Sequence, residues 1–331
     1  MFEPVLLPQW HAGLNREEAA RRLLHEISLW LMSEPLRALA EAWGGKPPGT
    51  DASLTAAFDW YDRFSAQHWD FRRGQERNLA DTAHLNEIQK SVALDSAKAL
   101  GLAESRPPAL DEYEHILVLG GLVRACVVRA RYAALLIHQD LNARNVCALG
   151  GFRPLRGDEL ELLSVLGIEA DNEFGAMIEG VRQAFGETGE ICYENPTADS
   201  GNSDWQIARF GSNDRLSVIA APSSEPAVRR ANTRDSYRWW AAERQADLRG
   251  AHILVITTTI YVPYQGAGAT EVLSFEYGAD VETVGVPPQL ADLGRHTQIF
   301  RPDQYLQEVR SAIVGYRELA IRASSAGATV Q

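Results

Sequence analysis

Cysteine is scarce. The 331-residue chain has three, Cys126, Cys147 and Cys192, and none stands in a C-x-x-C spacing. That rules against a disulfide framework and a zinc ribbon, and two of the three lie in apolar stretches, which reads as reduced core thiols. Positive charge is also short: 32 Lys and Arg face 44 Asp and Glu, a net charge of −12. Phosphate backbones recruit basic faces, so nucleic acid is not the expected partner, although local basic pockets stay open. No apolar run reaches membrane-spanning length, which argues against a membrane partner. The opening MFEPVLLPQWHAGLNREEAARRLL lacks a basic leader, a long apolar core and a small-residue cleavage site, so a cytoplasmic location is expected. Missing too are G-x-G-x-x-G, G-x-x-x-x-G-K-[ST] and G-x-S-x-G, the signatures of dinucleotide, P-loop and nucleophile-elbow sites.

What is present centres on Glu112 to Tyr132, EYEHILVLGGLVRACVVRARY. Its apolar run suits a strand buried on both faces, and Gly120-Gly121 permits a tight turn and close backbone approach before a helix. The N-terminus of that helix would attract an anion, with Arg124, Arg129 and Arg131 nearby. A tight turn with solvated arginines is the plainer alternative.

Residues 1–110 read as a helical N-terminal region. Asn15 can cap a helix carrying Ala19, Leu23, Ile27 and Leu31, a second helix ends at Gly44–Gly49, and Asp51 or Ser53 can cap a third through Trp60 and Phe64. The segment HWDFRRGQERN reads as a solvated helix face, and Asp81–Leu100 as another helix. After Pro107-Pro108 the rhythm changes to strands alternating with helices, predicting a Rossmann-like three-layer αβα domain over 111–300 with a mainly parallel sheet. The predicted strands are His115–Leu119, Asn145–Leu149, Leu216–Ala221, Ile253–Thr258 and Val281–Val286. Helices are predicted at Leu122–His138, Asp158–Leu166, Asn172–Phe185 and Asn232–Ala246, with a short one near Ala267–Phe275. Residues 187–215 suggest an inserted β-hairpin built on Ile191–Tyr193 and Trp205–Phe210. Residues 301–331 form a C-terminal helix and tail.

In open α/β sheets ligands bind beyond the carboxyl ends of the strands, so the residues following each strand are the site candidates. Gly120, Gly121 and Arg124 follow the first, and Gly150, Gly151 and Arg153 the second. Asn232 and Thr233 open the helix after the third, and Thr258 and Tyr261 close the fourth. Glycines, hydroxyls and arginines together point to a small anionic or nucleotide-like ligand. No nucleophile–base pair stands out. Glu173 and Asp235 are the carboxylates that could handle a proton, while a simple N-cap for Asn232 and a helix-dipole charge for Asp235 are the structural alternatives.

The order of ILVLGG, CALGG, Glu173-Phe174-Gly175-Ala176-Met177, Ala231-Asn232-Thr233-Arg234-Asp235 and ILVITTTIYVPYQGAGA resembles the YdcF/SanA-like family, domain of unknown function 218. The likeness covers residues 111–287 and leaves the helical N-terminus outside. It implies site status for Gly120, Gly121, Gly150, Gly151, Glu173, Asn232, Thr233 and Thr258, and a nucleotide-like ligand such as S-adenosylmethionine. Where the family carries histidine and arginine in its last loop, this chain has Tyr261, Pro263 and Tyr264.

Two functions follow as expectations. One is an enzyme that transfers or cleaves a group on a nucleotide-like or phosphorylated small molecule. Glycines 120, 121, 150 and 151 would cradle the anion, Arg124 and Arg153 neutralise it, Asn232 and Thr233 orient it, and Glu173 or Asp235 move a proton. The other is a non-catalytic module that senses a metabolite. The cofactor stays open between S-adenosylmethionine and another nucleotide, no metal is expected, and self-association is left open.

Overall fold

The computed structural model describes residues 2–11, 13–72, 83–195, 201–211, 213–244 and 248–327. Parts of several expected elements lie outside them: Asp81 and Thr82, Gln245 and Ala246, residues 73–78 of the HWDFRRGQERN segment, residues 196–200 and 212 of the insertion, and the last four residues of the tail. The chain forms two compact units. One comprises Met1–Ser105, Thr259–Glu271 and Ile299–Gln331, the other Arg106–Thr258 and Val272–Gln298.

The first unit opens with helix α1 (Arg16–Leu31), where the Asn15 side chain accepts the backbone N–H of Glu18 at 3.0 Å. Ala19, Leu23, Ile27 and Leu31 are all buried, as their helical spacing requires. Helices α2 (Glu34–Glu41) and α3 (Leu54–His68) follow, the latter capped by Ser53, and α4 (Glu87–Ala99) begins with a reciprocal Asn86–Gln89 capping box.

The second unit carries β1 (Glu112–Leu119), α5 (Val123–His138), β2 (Asn142–Gly150), α6 (Asp158–Leu166), α7 (Glu173–Phe185), β3 (Ile191–Glu194), β4 (Gln206–Phe210), β5 (Asn213–Ala220), α8 (Thr233–Arg244), β6 (His252–Thr258) and β7 (Asp280–Val286). They build one seven-stranded sheet in the order β3-β4-β5-β2-β1-β6-β7. The five predicted strands pair in parallel: β1 with β2 and β6, β2 with β5, and β6 with β7. Among the described residues, the antiparallel pairings are β3 with β4 and β4 with β5, which extend one edge.

Side-chain parity along β1 shows the three layers. Ile116 and Val118 share a core with Cys126 of α5 and Met177 and Val181 of α7. His115 has the opposite parity and meets Trp240 of α8 edge-on, ring centroids 5.0 Å apart. Helices therefore cover both faces. The chain steps from β1 to β2 to β5 in one direction, then returns through α8 to place β6 on the other side of β1. Counting only parallel strands, that is the doubly wound order 3-2-1-4-5, whose crossover reverses between β1 and β6.

Strand boundaries run wider than the apolar runs that announce them. β1 starts at Glu112 because its polar first half is only partly buried, and the continuous apolar run marks the fully buried half. β5 starts at Asn213, three residues before Leu216, because it prolongs the ladder with β4, with Asn213 opposite Phe210.

After β6 the chain enters the first unit as helix α9 (Val262–Ala269), which starts earlier than the apolar spacing suggests because Pro263 suits a first turn. Thr270–Ser274 then winds as a π turn. Helix α10 (Pro302–Gly327) packs against α1, α3, α4 and α9, carries helix through Ser325 where a tail was expected, and sets Tyr316 edge-on to Trp30 at 4.9 Å. Arg317 donates to Asp59 and Asp62, each at 2.6 Å, fixing α10 to α3. Among the described residues, no helix is long and apolar enough to cross a membrane.

Candidate functional site at the carboxyl edge of the sheet

The first glycine of each pair, Gly120 after β1 and Gly150 at the end of β2, serves close packing. A Cβ at Gly120 would lie 2.3 Å from Glu173 Oε1 and 2.4 Å from the Leu149 carbonyl oxygen, and one at Gly150 would lie 3.0 Å from the Phe174 Cα. Both leave room for the start of α7 to sit directly on the ends of β1 and β2. The first N–H groups of α7 are spent there: Glu173 donates to the Arg153 carbonyl, Phe174 to the Gly151 carbonyl and Gly175 to the Asn172 side chain, each at 2.9 Å. Gly151 itself faces open space.

The N-terminus of α5, where an anion was expected, already holds one from the chain itself. Glu159, in the first turn of α6, accepts the Val123 N–H at 3.0 Å and is only 3% exposed. Both terminal nitrogens of Arg153 also donate to it at 2.8 Å, and the Arg156 N–H approaches at 3.3 Å. Arg153 uses its remaining Nε to reach Glu173 Oε2 at 3.1 Å, and Nη2 donates to the Gly121 carbonyl at 3.0 Å. One guanidinium thus joins two carboxylates and the β1 turn.

The two carboxyls respond oppositely. Burial pushes Glu159 up, but Arg153 and the Val123 N–H outweigh it and hold the group below the ordinary glutamate range. Burial also raises Glu173, and the attraction of Arg153, Arg129 and Arg230 offsets only part of that, leaving it above the ordinary range. Arg230, from the loop between β5 and α8, is therefore in electrostatic reach of Glu173. The Glu173 side chain keeps 15% of its surface exposed.

Arg129 of α5 occupies the point where the crossover reverses. It is buried; Nη1 donates to the Leu119 carbonyl at 2.8 Å and also to that of Gly120, while Nη2 donates to Thr258 Oγ1 at 2.9 Å. It ties the carboxyl end of β1 to that of β6. The Cys126 thiol donates to the Gly121 carbonyl at 3.6 Å, and burial pushes it up to about 12.

The remaining predicted residues are placed otherwise. Arg124 pairs with Asp158. Asn232 and Asp235 cap α8 reciprocally: the Asp235 N–H donates to Asn232 Oδ1 at 3.0 Å, and the Asn232 N–H to Asp235 Oδ2 at 2.9 Å. Asp235 also takes a hydrogen bond from Arg229, and although burial raises it, these donors hold it below the ordinary aspartate range. Thr233 is half-buried in the first turn of α8. Tyr261 belongs to the other unit, where its ring meets Phe300 at 6.1 Å. The structure thus brings together Gly120, Gly121, Arg153, Glu173 and, through Arg129, Thr258. Among the described residues, no group of three His, Cys, Asp or Glu side chains could hold a metal ion.

Glu159 was missed as a site residue although a signal existed. It shares a helix face with Leu162, Leu163 and Leu166, and a carboxylate on the apolar face of a helix needs a buried partner. Arg129 gave the same signal between Cys126 and Ala133, both fully buried.

Comparison with known proteins corrects one reading. The family model that matches is the Rv3785 N-terminal domain, over residues 15–101, and no YdcF/SanA-like model matches. The chain is 27% identical to "Uncharacterized protein Rv3785" of Mycobacterium tuberculosis and to "Uncharacterized protein Mb3814" of Mycobacterium bovis, with 89% of this chain and 89% of each relative covered. No solved structure matches. The YdcF/SanA-like resemblance is therefore overturned. Its motifs have a local cause, since Gly120 and Gly150 accommodate the start of α7 and the Asn232–Asp235 stretch is a capping box. S-adenosylmethionine entered only through that resemblance and leaves with it.

Proposed function

We propose that the doubly wound unit binds a small anionic molecule beyond the carboxyl ends of β1 and β6 and transfers or cleaves a group on it, with Glu173 handling the proton. One observation carries this reading: a carboxyl with raised proton affinity and 15% of its surface open stands against Gly120, with Arg129, Arg153 and Arg230 around it. A perturbed acid at the crossover point of such a sheet suits general acid–base work. Arg153 is committed to Glu159 and Glu173, and Arg230 stands in electrostatic reach of the same carboxyl. A dinucleotide bound in the Rossmann manner would place its pyrophosphate at the N-terminus of α5 and would have to displace Glu159, leaving that buried carboxylate and Arg153 without each other. A compact anion or a mononucleotide placed differently fits better.

The second reading is a binding module without chemistry. It is favoured by the degree to which Arg153, Glu159, Arg129 and Thr258 satisfy one another within the protein. The two readings separate in one experiment. Purified chain is incubated with a cellular small-molecule extract, and bound and converted compounds are identified by mass spectrometry for the wild type and for Glu173→Gln. The enzyme reading expects a compound retained by both proteins and converted only by the wild type. Retention by both without conversion favours the module, and retention by neither sinks both readings.

A further inference from the structure

We propose that Glu159 is a positioning residue that acts on Glu173 through Arg153: it claims the paired terminal nitrogens of the guanidinium, so that only the Nε edge reaches Glu173. This rests on the proposed function for its catalytic meaning, but the geometry stands without it. Glu159 holds both terminal nitrogens of Arg153 at 2.8 Å, in the fork arrangement that makes carboxylate–guanidinium pairs directional. Glu159 is itself anchored by the Val123 and Arg156 N–H groups, so it cannot follow Arg153 elsewhere. With the fork fixed, the Nε–H points at Glu173 Oε2 at 3.1 Å, while Oε1 of the same carboxyl rests against Gly120.

Two carboxylates that share one guanidinium leave the triad one negative charge in excess. The carboxylate with the better contacts stays ionised, and the other keeps a higher affinity for a proton. The directions found for the two groups agree with this division: both are raised by burial, but Glu159, with two donors from Arg153 and two from the backbone, ends lowered, while Glu173, with a single donor to offset its burial, stays raised. The other groups facing Glu173 are Arg129 and Cys126 of α5 and Arg230 of the loop between β5 and α8. None of the three changes charge across the range where a carboxyl titrates: the arginines stay cationic, and the thiol, pushed up to about 12, stays neutral. Within this cluster Glu159 is thus the group whose charge decides how much of Arg153 Glu173 receives.

The test is a carboxyl-carbon NMR titration of the full chain, with Glu173 assigned by its loss in Glu173→Gln. Glu159→Gln keeps an oxygen for the Val123 N–H but removes the competing charge, so the Glu173 midpoint should fall by about one pH unit or more. An unchanged midpoint in a folded Glu159→Gln protein overturns the proposal. If that variant does not fold, Arg153→Lys decides. A single ammonium lacks the fork and cannot serve both carboxylates in the same geometry. It should stay with the anchored Glu159, and the Glu173 midpoint should rise; no change there overturns the proposal equally. A residue that merely holds α6 in place would leave the midpoint where it was. Because the readout needs no ligand, a shifted midpoint combined with no conversion of any compound by the wild type would keep this inference and reject the catalytic reading.

Discussion

Replacing Gly120 by alanine tests the packing on which the site depends. The added methyl would lie 2.3 Å from Glu173 Oε1 and 2.4 Å from the Leu149 carbonyl oxygen. Rotating Glu173 relieves only the first contact, at the expense of its bond to Arg153. The second involves main chain at the end of β2, in the middle of the sheet, and cannot be relieved without moving a strand. Overpacking of this kind costs about 1–3 kcal/mol, and a backbone neighbour argues for the upper end, about 3 kcal/mol. For a cooperative unit of this size, that corresponds to a drop of roughly 6–12 °C in melting temperature. Gly151→Ala is the internal control. Nothing lies within 4 Å of its added Cβ, and Gly151 is not among the residues with positive φ, so its cost should stay within about 0.5 kcal/mol. Thermal and urea unfolding of both variants by circular dichroism gives the comparison. Equal losses would refute the claim that Gly120 is required by the close approach of Glu173 and the end of β2.

Three further outcomes follow from the same geometry. Glu159→Ala breaks a buried ion pair and frees the Val123 N–H; with Arg153 still held by Glu173, the loss should be about 3 kcal/mol, at the low end for such pairs, read by urea unfolding. Because the folded Glu159 pKa lies below its unfolded value, its stabilisation is present above the unfolded pKa and disappears as pH falls through the folded one; acid unfolding of Glu159→Gln should lack that contribution. Asp235→Asn removes a charged acceptor from the α8 cap and from Arg229, and should cost about 1–2 kcal/mol of stability while leaving conversion per folded molecule unchanged.

Much of the doubly wound unit is legible in the sequence because its central strands are buried on both faces. Continuous apolar runs such as ILVL in β1 and ILVI in β6 have few other uses between helices of amphipathic spacing. Caps at Asn15 and Asn172 are legible for the same local reason: a short polar side chain three residues ahead of a backbone donor. The antiparallel start of β5 is hidden, since Asn213 joins the ladder through its partner Phe210 rather than through any apolar pattern of its own. The site is only partly legible. Glycine pairs after strands say that something comes close, but not whether it is a ligand or, as here, α7. Nor does spacing reveal that Arg153 is spent on two carboxylates, one six and the other twenty residues away in sequence. The buried charges Glu159 and Arg129 are the better pointers, because each sits on an apolar helix face and so demands a partner.

The central claim is that Glu173 moves a proton on a small anion held at the carboxyl edge of β1 and β6. It is tested most directly by the pH dependence of conversion of a compound captured from extract, in the wild type and in Glu173→Gln. The account expects Glu173→Gln to retain the compound and to lose roughly a hundredfold or more in rate. For a general base it also expects the wild-type rate to rise with pH through a midpoint above the ordinary glutamate range, because burial keeps the proton on Glu173 to higher pH. Wild-type conversion by Glu173→Gln, with the same pH profile, would contradict it.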